Sequence, residues 1–182
     1  MQTPTNTVYT ATAKALHWVI AVLIFGMLGL GFYMTGLDLS PTKLQLFSWH
    51  KWAGVTLFVL VVLRLAWRVS HPPPALPAHM APIERFAAHA GHHLLYVLMF
   101  AIPLSGWLMS SAKGVQTVWF GVLPLPDLLA KDKAVGDLLQ TVHLSLNVVL
   151  IAALLGHVGA ALKHHFIDRD DVMTRMLPRR RR

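Results

Sequence analysis

Apolar residues fall in four long blocks along this chain, at 15–37, 46–67, 86–110 and 138–162, and most of the charged residues and prolines fall outside them. Each block reaches the roughly 20 residues that a helix needs to cross the hydrocarbon of a bilayer, so each reads as a membrane-spanning helix. The first connection is Asp38-Leu39-Ser40-Pro41-Thr42-Lys43, the second holds Pro72-Pro73-Pro74 and Pro77, and the third contains Gly114, Gly121, Pro124 and Pro126. Such segments end helices and turn the chain. The first block is longer than the apolar region of a signal peptide, its flank is weakly basic, and no small-x-small cleavage site follows it. The pattern predicts an all-α fold: a single transmembrane four-helix bundle over 1–182.

Composition sharpens this. Of 182 residues, 55% are hydrophobic and 13% are charged, against about 25% charge in an ordinary soluble domain. The mean hydropathy is +0.53. There are no cysteines, which excludes disulfides, iron–sulfur clusters, thiolate zinc sites and covalently attached c-type haem. The formal charge is +8 and the pI about 10.3. In a soluble chain that would point to nucleic acid; in a chain this apolar it points to a membrane and to the side on which the charge lies. The N-terminal tail, the second connection and the C-terminal tail carry every arginine together with Lys14 and Lys163, whereas the other side has Lys43, Lys51, Lys113, Lys131 and Lys133. By the positive-inside rule both termini are expected in the cytoplasm. The run Arg179-Arg180-Arg181-Arg182 reads as a solvated tail drawn to anionic lipid.

Eleven histidines are many for so apolar a chain. Ionisable groups inside spans are costly and usually mark function. His143 and His157 both lie in the fourth block, 14 residues apart. At about 100° and 1.5 Å per residue they leave the same helix face roughly 21 Å apart along the axis, too far for one metal ion and suited to two stacked haems. His50, in the second helix, is level with His143; His17, in the first, is level with His157. Two bis-histidine sites follow, one near each membrane surface, of the six-coordinate electron-transfer type. The plain alternative is four histidines solvating helix ends. Gly54 follows His50 by one turn and leaves flat space on that face, as Gly26, Gly29 and Gly31 do on the first helix and Gly156 and Gly159 beside His157; close helix packing would use the same small residues. Arg64 lies 14 residues after His50, on the same face at inner depth. It would suit haem propionates, or it snorkels to the inner headgroups.

In order along the chain, Leu16-His17-Trp18, Trp49-His50-Lys51 with Gly54 and Arg64, Ala88-His89-Ala90-Gly91-His92 with Tyr96, Gly106-Trp107-Leu108-Met109, Trp119-Phe120-Gly121, His143, Gly156-His157, His164-His165-Phe166 and Arg175-Met176-Leu177-Pro178 form a set that resembles bacterial cytochrome b561 over nearly the whole chain, about Tyr9 to Pro178. The resemblance implies two non-covalent b haems, held by the first and fourth helices on the inner side and by the second and fourth on the outer side. It also implies an inner-membrane protein that exchanges electrons with ubiquinone, and relatives that oxidise superoxide. Superoxide is an anion, and its entry calls for positive potential at the outer site. Lys113 and Lys51 are the candidates: Lys113 has no acidic residue near it in sequence, whereas Lys131 and Lys133 alternate with Asp127, Asp132 and Asp137. For quinone, His164, His92 and Tyr96 lie at the inner level, and His89 or His92 could instead be a haem ligand. His71, His79 and His165 read as ordinary surface histidines. Two other functions are open at this point: a cytochrome b subunit serving a hydrogenase or dehydrogenase partner, and a haem-free transporter whose histidines bind metal.

Overall fold

A computed structural model describes residues 8–177, and the terminal arginines lie outside the described residues. Four helices dominate: α1 (Ala11–Thr35), α2 (Pro41–Ser70), α3 (Pro82–Ala112) and α4 (Lys133–Phe166). All four are long and apolar enough to cross a membrane. They overrun the apolar blocks because their caps are polar residues outside them. Thr10 Oγ1 accepts from Ala13 N at 3.2 Å. Ser40 Oγ accepts from Lys43 N at 3.2 Å, with Pro41 as the first helical residue. Asp132 Oδ1 accepts from Val135 N at 3.0 Å. These oxygens satisfy N–H groups that the first turn leaves free. Glu84 reaches back to the Ala81 N–H at the start of α3.

The connection between α3 and α4 holds the one departure from an all-helical chain among the described residues. Val118–Trp119 (β1) and Leu123–Pro124 (β2) pair antiparallel in a very short hairpin. Its turn needs left-handed backbone at Phe120 (φ 51°) and at Gly121 (φ 72°). The hairpin is tied to the N-terminal half of α2: Trp52 Nε1 donates to Val118 O at 2.5 Å, and Trp119 Nε1 donates to Trp52 O and Thr56 Oγ1, each at 3.2 Å. At the other end, the segment after α4 folds back beneath the bundle. Lys14 Nζ donates to Leu177 O at 2.9 Å, Trp18 Nε1 to Met176 O at 3.0 Å, and Arg175 to Ala75 O at 2.6 Å.

α1 packs along α2, α2 along α3, and α3 along α4; α4 makes no comparable packing with α1 or α2. The helices meet at mid-depth in one apolar cluster that includes Ile20, Ile24, Leu57, Val61, Leu98, Ile102 and Leu150. Leu150 stands midway between His143 and His157, and Val61 is wholly buried. Much of the remaining apolar surface, such as Val22, Phe25, Phe32, Val148 and Leu155, is exposed. That is the surface a lipid solvent would cover.

Because Leu150 joins α4 to the common core, we predict that Leu150→Ala lowers thermal stability in detergent by an amount equivalent to about 2–5 kcal/mol, whereas Leu155→Ala on the exposed face costs far less. Thermal unfolding followed by tryptophan fluorescence measures both.

Candidate functional site

The four histidines singled out by depth meet in pairs. His17 on α1 and His157 on α4 have ring centres 6.2 Å apart with planes at 61°. His50 on α2 and His143 on α4 have ring centres 6.5 Å apart with planes at 75°. Directly hydrogen-bonded imidazoles, with N···N about 2.9 Å, would have centres roughly 5.1 Å apart. Two metal–imidazole bonds of about 2.0–2.1 Å, each extended by about 1.1 Å to the ring centre, give roughly 6.3 Å. Both observed spacings match the second arrangement. Both pairs lie where α4 packs along α3 and not along α1 or α2.

At the outer pair, the surroundings of His143 favour ligation. His143 Nδ1 lies 3.1 Å from Ile102 O and 3.0 Å from Ser105 Oγ, and Ser105 Oγ itself donates to Ile102 O at 2.8 Å. A carbonyl partner places the imidazole proton on Nδ1 and leaves Nε2 bare, which is the tautomer a metal ligand needs. Gly106 makes the approach possible: a Cβ there would stand 3.2 Å from His143 Cε1. His50 Nδ1 is buried without a hydrogen-bond partner.

At the inner pair, Arg64 intervenes. Its Nη1 donates to Ala13 O at 2.7 Å and its Nη2 lies 3.3 Å from His17 Nδ1. The guanidinium therefore points into the bundle. An arginine donating to Nδ1 needs that nitrogen bare, which would put the imidazole proton on Nε2, so ligation by His17 requires Arg64 to release the ring. Beside it the Tyr96 hydroxyl is buried and unpartnered, in a cavity lined also by Trp67, Arg68 and His71. Two guanidinium groups and a free hydroxyl are a donor set suited to carboxylates. Gly54 turns toward α1, where Met27 Cε stands 3.7 Å from the place of a Cβ.

The three inner-level residues expected to meet quinone do not converge on one cavity. Tyr96 lines the cavity beside Arg64. The His92 ring lies 5.3 Å from that of His157, and its Nδ1 is held on Ala88 O at 2.6 Å. His164, nearly buried, is held by Asp170 Oδ2 at 2.7 Å and Asp168 Oδ2 at 3.2 Å. Among the outer lysines, Lys113 is less free than its sequence neighbourhood implied. It bonds Gln140 Oε1 and lies 3.8 Å from Asp137 Oδ1, because α4 begins beside the end of α3. Lys51 contacts neutral oxygens: Ser110 Oγ at 3.4 Å, Val115 O at 3.4 Å and Gln116 O at 3.2 Å.

Sequence reasoning missed Ser105 and Ile102, which position His143, and Asp170, which holds His164; it had Gly106 as part of a motif without its role beside His143. His71 and His79 are exposed, as expected, and each also has a neighbour. His71 stacks on Trp67 with ring centres 3.9 Å apart, and His79 Nε2 lies 3.9 Å from Asp170 Oδ2. The signal within reach was the acidic run Asp168-Arg169-Asp170-Asp171, placed directly after a histidine-bearing helix.

A four-helix membrane bundle with imidazoles facing one another across helices is the framework of a membrane cytochrome b, and the chain belongs to the prokaryotic cytochrome b561 family, whose model it matches over residues 8–179. It is 38% identical to cytochrome b561 homolog 2 of Escherichia coli (strain K12) over 178 residues, covering 93% of this chain and 90% of that protein. It is 25% identical over 180 residues to the probable superoxide oxidase CybB of Yersinia pestis, covering 95% and 97% of the two chains. Cytochrome b561 homolog 1 of Escherichia coli (strain K12) is 28% identical over 180 residues, covering 95% and 98%. The protein is thus a bacterial multi-pass membrane protein of an electron-transfer family that binds haem b.

Acidic groups beyond α4 give this end a pH dependence. Asp168 is held below the usual carboxylate range, first by the hydrogen bond from Lys163 Nζ (2.6 Å) and then by that residue's charge, while desolvation opposes both. Asp171 is held low by its hydrogen bond from Arg175, at 2.8 Å. A carboxylate with a lowered folded pKa adds stability above its unfolded pKa of about 3.9, and that stability is lost as pH falls through the folded value. We predict that thermal stability falls on acidification from pH 5 toward pH 3, and that Lys163→Met flattens this part of the profile. A thermal-shift series against pH reads it.

Proposed function

We propose that the protein is a dihaem cytochrome b of the bacterial inner membrane that oxidises superoxide on the periplasmic side and reduces ubiquinone near the cytoplasmic side, with both termini cytoplasmic. When bound, haem supplies a reversible one-electron carrier at each site. The observation that carries this reading is the pair of imidazole spacings, 6.2 Å and 6.5 Å, at two depths of one bundle. His17 and His157 hold the inner group, and His50 and His143 the outer one. Ile102 and Ser105 fix the proton of His143 so that its other nitrogen stays free to bind. Arg64 and Tyr96 receive carboxylates at the inner site, and Gly54 keeps the α2 face flat near His50.

At the outer side the chain attracts the substrate anion. Superoxide loses one electron and no proton, so no general base is required there. Lys51 neighbours His50 in sequence and, among the described residues, makes no ion pair, with Asp127 the nearby acidic group; its charge supplies most of the steering field. Lys113 contributes less, being offset by Asp137. At the inner side His164 contacts ubiquinone and supplies a proton, while Tyr96 and His92 lie apart from it, in the cavity beside Arg64 and against the His157 ring. The likeness to the probable superoxide oxidase of Yersinia pestis favours superoxide as donor.

Pyridine haemochrome assay is expected to give about two haems per chain. His50→Ala should remove one spectral component and His17→Ala the other; His143→Ala should match the first and His157→Ala should remove the second. Loss of the same component from His143→Ala and His17→Ala would overturn the pairing. Gly106→Ala should weaken the outer component alone, by crowding His143.

Stopped-flow mixing with superoxide tests the substrate. Lys51→Glu should slow haem reduction by about tenfold at low ionic strength, with the difference shrinking as salt screens it. Equal loss in reduction by a quinol would instead mark damage to the fold.

A further inference from the structure

The segment after α4 makes a sharp return that places a buried carboxylate beneath a buried histidine. Arg169 adopts left-handed backbone (φ 53°), and the Asp170 N–H then donates to His164 O at 3.1 Å. The Asp170 side chain is 6% exposed, and its Oδ2 lies 2.7 Å from Nδ1 of His164, itself 11% exposed. The same oxygen lies 3.9 Å from Nε2 of His79, which comes from the connection between α2 and α3 and is 69% exposed. The three groups form a line from water, through a buried carboxylate, to a ring one step below His157. His164 follows His157 by seven residues on the same helix face, roughly 10 Å along the axis.

We propose that His79, Asp170 and His164 form a proton-conducting chain that supplies quinone reduction. This rests on the functional reading above. Two superoxide anions give up one electron each and leave as dioxygen. The quinone takes those two electrons and two protons to become quinol. In each protonation the Nε2–H bond of His164 breaks as an O–H bond forms at a quinone oxygen. His164 Nδ1 takes the proton shared with Asp170 as Nε2 releases its own, Asp170 takes one from protonated His79, His79 is recharged from water, and the His164 ring reorients so that an N–H again faces the quinone before the second protonation. A small rotation of the exposed His79 ring closes its gap to Asp170.

The other charged groups around His164 fit this role. Asp168 Oδ2 lies 3.2 Å from Nδ1, but Lys163 Nζ holds that oxygen at 2.6 Å and also binds Glu84 of α3 at 2.8 Å. Asp168 is thereby neutralised, and Asp170 remains the acceptor that faces His164 without a lysine or arginine on it. The donor atoms of His164, Asp168 and Asp170 are close enough together to take a cation as well. The Lys163 ammonium on Asp168 works against that use. Asp170 also has a local role, since its Oδ1 accepts from Val172 N at 3.0 Å. The test must therefore separate proton transfer from capping.

The experiment uses the full-length, haem-loaded protein in lipid nanodiscs with a short-chain ubiquinone, and compares wild type with Asp170→Asn and His79→Ala. Reduction of the protein by superoxide without quinone should be unchanged in both. Quinol formation above about pH 8, where free imidazole is mostly neutral, should fall on the order of a hundredfold in Asp170→Asn and about tenfold in His79→Ala. Near pH 6 the His79→Ala deficit should shrink, and added imidazole should restore its rate at high pH. The solvent deuterium isotope effect should rise in both variants. Wild-type rates in both variants at high pH would overturn the chain. So would a loss in Asp170→Asn that is equal at every pH with no rise in isotope effect, which is the behaviour of a cap. A wild-type protein that accepts electrons from superoxide and makes no quinol would sink the quinone reading itself, a result distinct from failure of the relay alone.

Discussion

Everything in this bundle is arranged around the need to bring two imidazoles of α4 opposite imidazoles from two other helices without closing the space between them. Ring centres 6.2 Å and 6.5 Å apart are wider than a hydrogen bond and narrower than a gap that solvent could fill. α4 meets that demand by packing along α3 and standing off from α1 and α2. The standoff would leave α4 weakly held but for the apolar contact at mid-depth. There Leu150 joins Ile24, Leu57, Val61 and Ile102, so the two polar levels are separated by a dry layer. Polar rings inside lipid are costly unless partnered, and this layout confines them to two levels near the surfaces.

The two ends are closed by different means. At the outer end indole N–H groups do most of the work: Trp52 and Trp119 lock the hairpin to α2, and Trp107 donates to Pro126 O at 3.1 Å. These bonds end in carbonyls and a hydroxyl, so they add no charge and leave the lysines to set the field. At the opposite end, where the two chain ends meet, charged groups take part: Lys14 and Trp18 reach the carbonyls of Leu177 and Met176, and Lys163 bridges Glu84 and Asp168. Tryptophans that combine an apolar body with one donor suit a membrane–water boundary, and clustered charges suit the aqueous layer beyond it.

Sequence periodicity and length were enough for the helices, because crossing a bilayer demands a long apolar run and little else produces one. Helix ends were less legible, since Thr10, Ser40 and Asp132 cap from outside the apolar blocks. The hairpin left no readable pattern, with two residues in each strand and a turn built on left-handed Phe120 and Gly121. The imidazole pairs were legible because helix geometry alone places His143 and His157 on one face. Lys113 was misread as unopposed because Asp137 reaches it across the α3–α4 connection. Asp170 and His79 escaped notice for the same reason: their meeting depends on where two connections fold, and no local rule fixes that.

Both imidazole pairs draw one member from α4, which is made after α1, α2 and α3. A ribosome that has inserted α1, α2 and α3 has delivered His17 and His50, yet neither has its opposite ring. On the proposed two-haem reading, cofactor capture cannot proceed site by site as the chain emerges. It waits for one event, the arrival of α4, after which both sites are completed together and the tail ties down Lys14 and Trp18. A chain truncated before α4 would enter the bilayer as three helices with two half-built sites, and the cell's quality control would meet it as an apoprotein with nothing to load.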